Sequence, residues 1–146
     1  MSDTLTDSPS LVMQRYLTGE NLFSLPSSSS DWPLYVASFP DTDNDAGCIY
    51  DEQPQKDGRS MTDGELDLHY RLTLVIRASS YADGWTKAMD ILQNISSVLR
   101  QSISLGAVNY LIQSITTDGI NFTGVEEGTK RRYLFEIPIL TVITEV

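Results

Sequence analysis

The longest regular pattern in the chain is an alternation. Leu66, Leu68, Tyr70, Leu72, Leu74 and Ile76 occupy every second position, with Asp67, His69, Arg71, Thr73 and Arg77 between them and Val75 as the one apolar residue of the second set. A period of two is the repeat of a strand, so this stretch predicts a long β-strand with one buried side. A strand of that kind needs neighbours in a sheet and a second layer over its apolar side. Helices supply the layer. Trp85, Ala88, Leu92, Ile95 and Leu99 recur three and four apart, flanked by Ile91 and Val98, which predicts a helix over about Tyr81–Gln101 with Gly106 beyond its end. Near the start, Ser8-Pro9 reads as a helix N-cap followed by the first helical position, where a missing N–H costs nothing. Leu11, Val12, Tyr16 and Leu17 follow near helical spacing, so a short helix over 9–18 is expected, with Gly19 as its stop.

The remaining strands are shorter. Trp32–Phe39 is aromatic and β-branched and ends at Pro40, and Cys48-Ile49-Tyr50 is a brief second strand. Tyr110–Thr117 and Ile120–Val125 flank Asp118-Gly119, a dipeptide that favours a hairpin turn. Tyr133, Phe135, Ile137, Ile139 and Thr141 alternate in a last strand, where Pro138 cannot donate to a ladder and predicts an edge or a bulge. Residues 26–31 form a polar spacer. Gln53–Arg59 has turn residues and no period, so it reads as a long loop or an extended hairpin, part of a mobile acidic loop over about 51–65. The order α-β-β-β-α-β-β-β has no internal repeat. It predicts one α+β domain over 1–146: a mixed or antiparallel β-sheet with two helices packed on one face, a two-layer sandwich.

Charge narrows the function classes. Ten Lys and Arg against twenty Asp and Glu give −10, which excludes a general polyanion binder without a local basic patch. Between Asp41 and Asp67, nine acidic residues against Lys56 and Arg59 leave −7. The one basic run is Lys130-Arg131-Arg132, which is short and is expected to pair with Glu126-Glu127 or with a second copy of the chain. The polar N-terminus does not read as a signal peptide, and no run reaches the roughly 18–20 apolar residues of a spanning helix. A lone Cys48 forms no intramolecular disulfide and suggests synthesis in a reducing compartment.

Catalytic constellations are scarce, and the chain reads as a non-enzyme without a cofactor. His69 has neither a nucleophile nor a pocket at a suggestive spacing and reads as an exposed structural side chain; Cys48 reads as a small buried hydrophobe. Asp41-x-Asp43-x-Asp45 with Glu52 has the ligand spacing of a helix–loop–helix calcium site. Ala46 stands where that loop requires Gly, and strand-like flanks replace the helices, so no metal site is assigned; Asp41, Asp43, Asp45 and Glu52 are its weak candidates. Arg59, Asp67, His69, Arg71, Lys130, Arg131 and Arg132 are the candidates for subunit or partner contact, because mixed charges on one face suit such a contact.

The order of these signals resembles the tail terminator proteins of long-tailed bacteriophages, often labelled minor capsid or minor tail proteins. It is carried by Leu11-x5-Leu17, Trp32-Pro33-Leu34-Tyr35-Val36, Phe39-Pro40-Asp41-x-Asp43-Asn44 and Ile49-Tyr50-Asp51. Gly58-Arg59, Gly64-Glu65, His69, the strand ending in Arg77 and Tyr81-x3-Trp85-x2-Ala88 continue it, over residues 9 to 143. The resemblance implies a small wedge, several copies of which, usually six, close into a ring at the head–tail junction of the virion. It implies partners too: the chain itself, the tail tube protein and a head–tail connector or stopper, with DNA passing through unbound and no membrane. Such a protein is made in the host cytoplasm, caps the tube, ends its polymerisation and offers the head-joining surface. Part of the acidic Asp41–Asp67 stretch is expected to line the channel, or else to meet the tube or connector. Two other readings stay open: a different neck component, either head completion or stopper protein, and a non-viral domain whose acidic loop binds a divalent cation.

Overall fold

A computed structural model describes residues 5–26, 32–38, 45–52, 55–59, 66–98, 100–126 and 131–146, with the backbone alone for 55–59 and 66–68. Helix α1 spans Pro9–Gly19, and the Ser8 hydroxyl accepts the Leu11 N–H at its start. The strands are β1 (Leu34–Val36), β2 (Ala46–Asp51), β3 (Gln55–Arg59) and β4 (Leu66–Ala78). Helix α2 (Tyr81–Ser96) separates these from β5 (Gln101–Leu105), β6 (Val108–Thr116), β7 (Asn121–Glu126) and β8 (Arg132–Glu145). The fold is α+β. Seven strands make one mixed, curled sheet, a half-barrel, ordered β1-β2-β4-β8-β6-β5 with β7 also beside β8, while β3 pairs with β4 alone. Among the described strands β1 and β2 run parallel, extended by a parallel bridge from Ser24 to Pro33, and the other strand pairings are antiparallel.

The long alternating strand is β4, at the centre. Leu72, Leu74 and Ile76 are buried with Phe135, Ile137 and Ile139 of β8. Val12, Met13 and Leu17 of α1 and Ala88, Ile91 and Ile95 of α2 complete the same core. The second face of β4 is solvated only in part. Thr73 and Arg77 are 5 % and 2 % exposed, and Ala46 and Leu134 flank Arg77 in register.

Several boundaries differ from expectation for local reasons. The first strand keeps only Leu34–Val36, because Trp32 and Ala37 at its two ends take left-handed φ of 56° and 78°. Helix α2 stops at Ser96, and Gln101–Leu105 alternates as a strand that turns at Gly106, φ 61°, to pair with β6. The buried stripe of α2 is Gly84, Ala88, Ile91 and Ile95, so Trp85 falls outside it and Leu92 is half-buried; Leu99 lies outside the described residues. Gly84 sets this rotation. A Cβ there would stand 2.5 Å from a ring carbon of Phe135, so only glycine lets the helix lie this close to β8. Of the two readings of Gln53–Arg59, the described part is hairpin: 55–59 is strand, antiparallel to β4.

The hairpin expected at Asp118-Gly119 does not form. β6 and β7 both run antiparallel to β8, so the chain keeps its direction across Thr117–Ile120. β8 is long enough to seat both, and Gly119, at φ 114°, takes up the break. Pro138 is explained by the same break. β8 is not an edge strand, since β4 lies on one side; on the other, β6 reaches Leu140 and β7 begins at Glu136. The residue without an N–H falls in that interval.

Candidate interaction surface

The predicted contact residues separate into three places. Arg59 and Asp67 lie on the ribbon formed by β3 and the first residues of β4, where Arg59 is opposite Leu66 and Asp67 opposite Gly58. His69, half-buried, is opposite Gln55 at the base of that ribbon. Arg71 is exposed and lines a cleft of about 400 Å³ with Glu52, Thr116, Thr117, Asp118 and Pro138. Arg131 and Arg132 stand at the far end of the sheet, and Lys130 lies outside the described residues. Arg132 donates to Glu126 at 3.2 Å, as neighbours across the β7–β8 ladder, and Arg77 approaches the same carboxylate at 4.0 Å.

The acidic residues with calcium-loop spacing do not surround one point. Asp45 precedes β2 and Glu52 follows it. Seven residue steps of extended chain place them roughly 20 Å apart, too far to share a cation. Asp45 accepts from the Ser79 N–H at 2.9 Å and lies close to its hydroxyl at 3.2 Å, tying β2 to the start of α2. Asp41 and Asp43 lie outside the described residues. Among the described residues, no three His, Cys, Asp or Glu side chains converge as metal ligands, and no helix is long and apolar enough to cross a membrane. Cys48 is buried, and that burial pushes its thiol up against the opposing pull of Arg77.

A second cleft, about 430 Å³, is lined by Trp32, Asp45, Asp83, Thr86, Lys87 and Asp90. Its cation is the chain's own. The Lys87 ammonium sits 5.1 Å from the Phe23 ring centre and 5.3 Å from that of Trp32. Burial lowers its pKa and Asp90 opposes the shift. The contact pins the segment after α1 to α2.

The surface that periodicity missed is aromatic. Tyr81, Trp85, Phe122 and Val125 are 48 %, 44 %, 45 % and 41 % exposed. Tyr81 meets Phe122 edge-on at 5.2 Å and Tyr133 at 6.3 Å, and both Tyr81 and Phe122 pack on the buried Phe135 at 5.3 and 5.2 Å. Val125 pairs in register with Tyr133. The cluster exists because α2 starts over β8 and leaves β7 uncovered. Helical spacing places Trp85 on the buried stripe; the close approach at Gly84 turns it outward. Large apolar side chains gathered in one exposed place, and not scattered singly, are the kind of surface that a protein, a ligand or a membrane covers.

No protein-family model matches the chain, and no curated protein matches it.

Proposed function

We propose that this protein is a structural component of a phage tail, a tail terminator that closes with copies of itself into a ring. The ring caps the tail tube, stops its growth and presents the surface that joins the head. The observation that carries this reading is the aromatic surface of Tyr81, Trp85, Phe122 and Val125, built for contact with protein. The residue order described above supplies the family. In the same reading the two helices share one face of the sheet, as a two-layer wedge: the Tyr16 hydroxyl of α1 donates to Asn94 of α2 at 2.7 Å, so the helices are neighbours. Ring closure uses two different faces of each copy, since head-to-tail contacts are what generate cyclic symmetry. The ring acts in the virion at the head–tail junction, with the tube protein and a connector or stopper as neighbours.

Light scattering over a wide concentration range tests this, alone and with purified tail tubes. A species near six times the 16.3 kDa chain mass, or retention on tube ends that blocks further elongation, is expected. A strict dimer at every concentration overturns the reading. So does a chain that stays monomeric and leaves tube growth unchanged. Recovery on the portal-side connector without tube binding favours a stopper or head completion protein instead.

A further inference from the structure

The Asp118-Gly119 pair does not turn a hairpin, and its setting suits a different chemistry. β6 ends at Thr116, in register with Leu140, and β7 begins at Asn121, in register with Glu136. Thr117–Ile120 therefore joins two strands seated on β8 and belongs to neither ladder. Among the described residues this stretch makes no backbone–backbone hydrogen bond. Its own bond is local: the Gly119 N–H donates to the Thr117 hydroxyl at 3.2 Å. Asp118 is exposed, and its carboxylate has no hydrogen bond or ion pair among the described residues. Gly119 stands at φ 114°, and nothing lies within 4 Å of where a Cβ would be. A backbone nitrogen thus follows an unheld carboxyl on a stretch that no ladder keeps from rotating.

We propose that Asp118 isomerises to isoaspartate through a cyclic imide formed with Gly119. In the first step the Gly119 nitrogen attacks Cγ of Asp118 in its acid form. The N–Cγ bond forms, and the carboxyl hydroxyl leaves with the amide proton as water. Thr117 is the positioning residue, since its hydroxyl already accepts that proton and can pass it to solvent. In the second step water adds back to the imide. Opening the bond from the Gly119 nitrogen to Cγ restores aspartate. Opening its bond to the main-chain carbonyl carbon leaves the chain running through Cβ and Cγ, with the former main-chain carboxyl released. One water leaves and one returns, and no electron is exchanged.

Sequence alone does not single out Asp118, because Asp-Gly also stands at 57, 63 and 83. Local structure separates the sites. In α2 the Gly84 N–H donates to the Ser80 carbonyl at 3.1 Å, and Gly84 is packed against Phe135. That nitrogen is tied, and the helix holds the backbone angles around it. Asp57-Gly58 lies in β3, with Gly58 opposite Asp67, and Asp63-Gly64 lies outside the described residues. The product matters because of where it falls. Isoaspartate lengthens the main chain by one carbon between two strands whose places on β8 are fixed, so β7 and the exposed Phe122 on it must shift. None of this depends on the ring reading.

Prolonged incubation of the folded chain at neutral pH, followed by peptide mapping, tests the proposal. The peptide carrying Asp118 is expected to give a species one water lighter. It then gives one of unchanged mass that elutes apart and is methylated by an isoaspartyl carboxyl methyltransferase with S-adenosylmethionine. The peptide carrying Asp83 should gain several-fold less of that product, and unfolding in urea should bring the two sites to similar rates. Thr117→Val is expected to slow the reaction at 118 and leave the rate at 83 unchanged, while Thr117→Ser, which keeps a hydroxyl, restores it. Isomerisation at 118 no faster than at 83 in the folded chain overturns the proposal. Equal rates at 118 in the valine and serine variants overturn the role given to Thr117.

Discussion

The two halves of β4 carry the same alternation and have different fates. From Leu72 to Ala78 the strand lies between β2 and β8, and only Val75 escapes full burial. From Leu66 to His69 it has β3 as its strand neighbour and no β8 beside it. Alternation therefore reports which side a residue takes and says nothing of how many neighbours stand there. Burial depends on partners distant in sequence, which here arrive as Phe135, Ile137 and Ile139 from the other end of the chain.

The comparison breaks most visibly in the packed half. Leu74 is fully buried between Ile49 and Ile137 in register. Leu74→Ala removes its side chain from a core that relaxes only in part, and a loss of about 2–5 kcal/mol is expected in urea unfolding. A loss below about 1 kcal/mol would mean that the site collapses and that the packed half is far looser than its burial suggests.

Next is the close approach that turns α2. Alanine favours a helix over glycine by about 1 kcal/mol, so Gly84→Ala stabilises α2 if only propensity matters. Its Cβ would meet buried ring carbons of Phe135 at 2.5 and 2.9 Å, and overpacking of that kind costs typically about 1–3 kcal/mol. The expected balance is a destabilised protein with a disturbed aromatic surface, read as a lower melting temperature and a changed near-ultraviolet circular dichroism signal. A more stable Gly84→Ala protein would show that Phe135 yields freely.

How much of this was legible beforehand follows from the same physics. The α1 start was written locally in Ser8 and Pro9, and the central strand in its own period. The charged neighbours of the last strand were readable as well, because Glu126 and Arg132 stand near in sequence and meet across the ladder. Asp118-Gly119 misled because a turn-compatible pair folds back only if its flanking strands choose each other, and both chose β8. Trp85 misled because two helix faces carry apolar residues, and the choice between them is made by Phe135 against Gly84, fifty positions away. Around the candidate surface, the pairing of Glu126 with Arg132 was therefore legible and the clustering of Tyr81, Phe122 and Phe135 was not.

The helix contact sharpens the comparison at alkaline pH. Burial first, then the charge of Glu20, push the Tyr16 hydroxyl up from 10.0 to about 12. A raised folded-state value means that the contribution is whole below pH 10 and lost as pH rises toward about 12, because the unfolded chain ionises first. Stability is expected to fall across that window, and Tyr16→Phe to remove this part of the fall. An unchanged slope in the variant would place the alkaline loss elsewhere. At the same helix, Asp51 accepts from the Ser10 N–H at 3.0 Å and from its buried hydroxyl at 2.7 Å, so Asp51→Ala should cost about 1–3 kcal/mol by removing the acceptor of both, with the Ser8 hydroxyl at 3.1 Å as the remaining partner of the Ser10 hydroxyl.

The smallest effect belongs to the ribbon itself. The Glu52 N–H donates to the Arg71 carbonyl at 2.8 Å, so the β2–β4 ladder is still closed at that point. Replacing residues 54–69 with Asn-Gly would leave Gln53 facing Tyr70 across a two-residue turn whose backbone suits antiparallel strands. Because the excised residues lie beyond the stretch that β8 holds, unfolding free energy should change by no more than about 0.5 kcal/mol, as for surface changes away from a core. Hydrogen exchange on the intact chain should agree, with the amides of 55–59 and 66–69 opening far more readily than those of 72–78. A shortened chain that melts much earlier would show that the ribbon folds back onto its own molecule. One that melts normally but no longer associates would show that the part of β4 beyond β8 is kept for another copy.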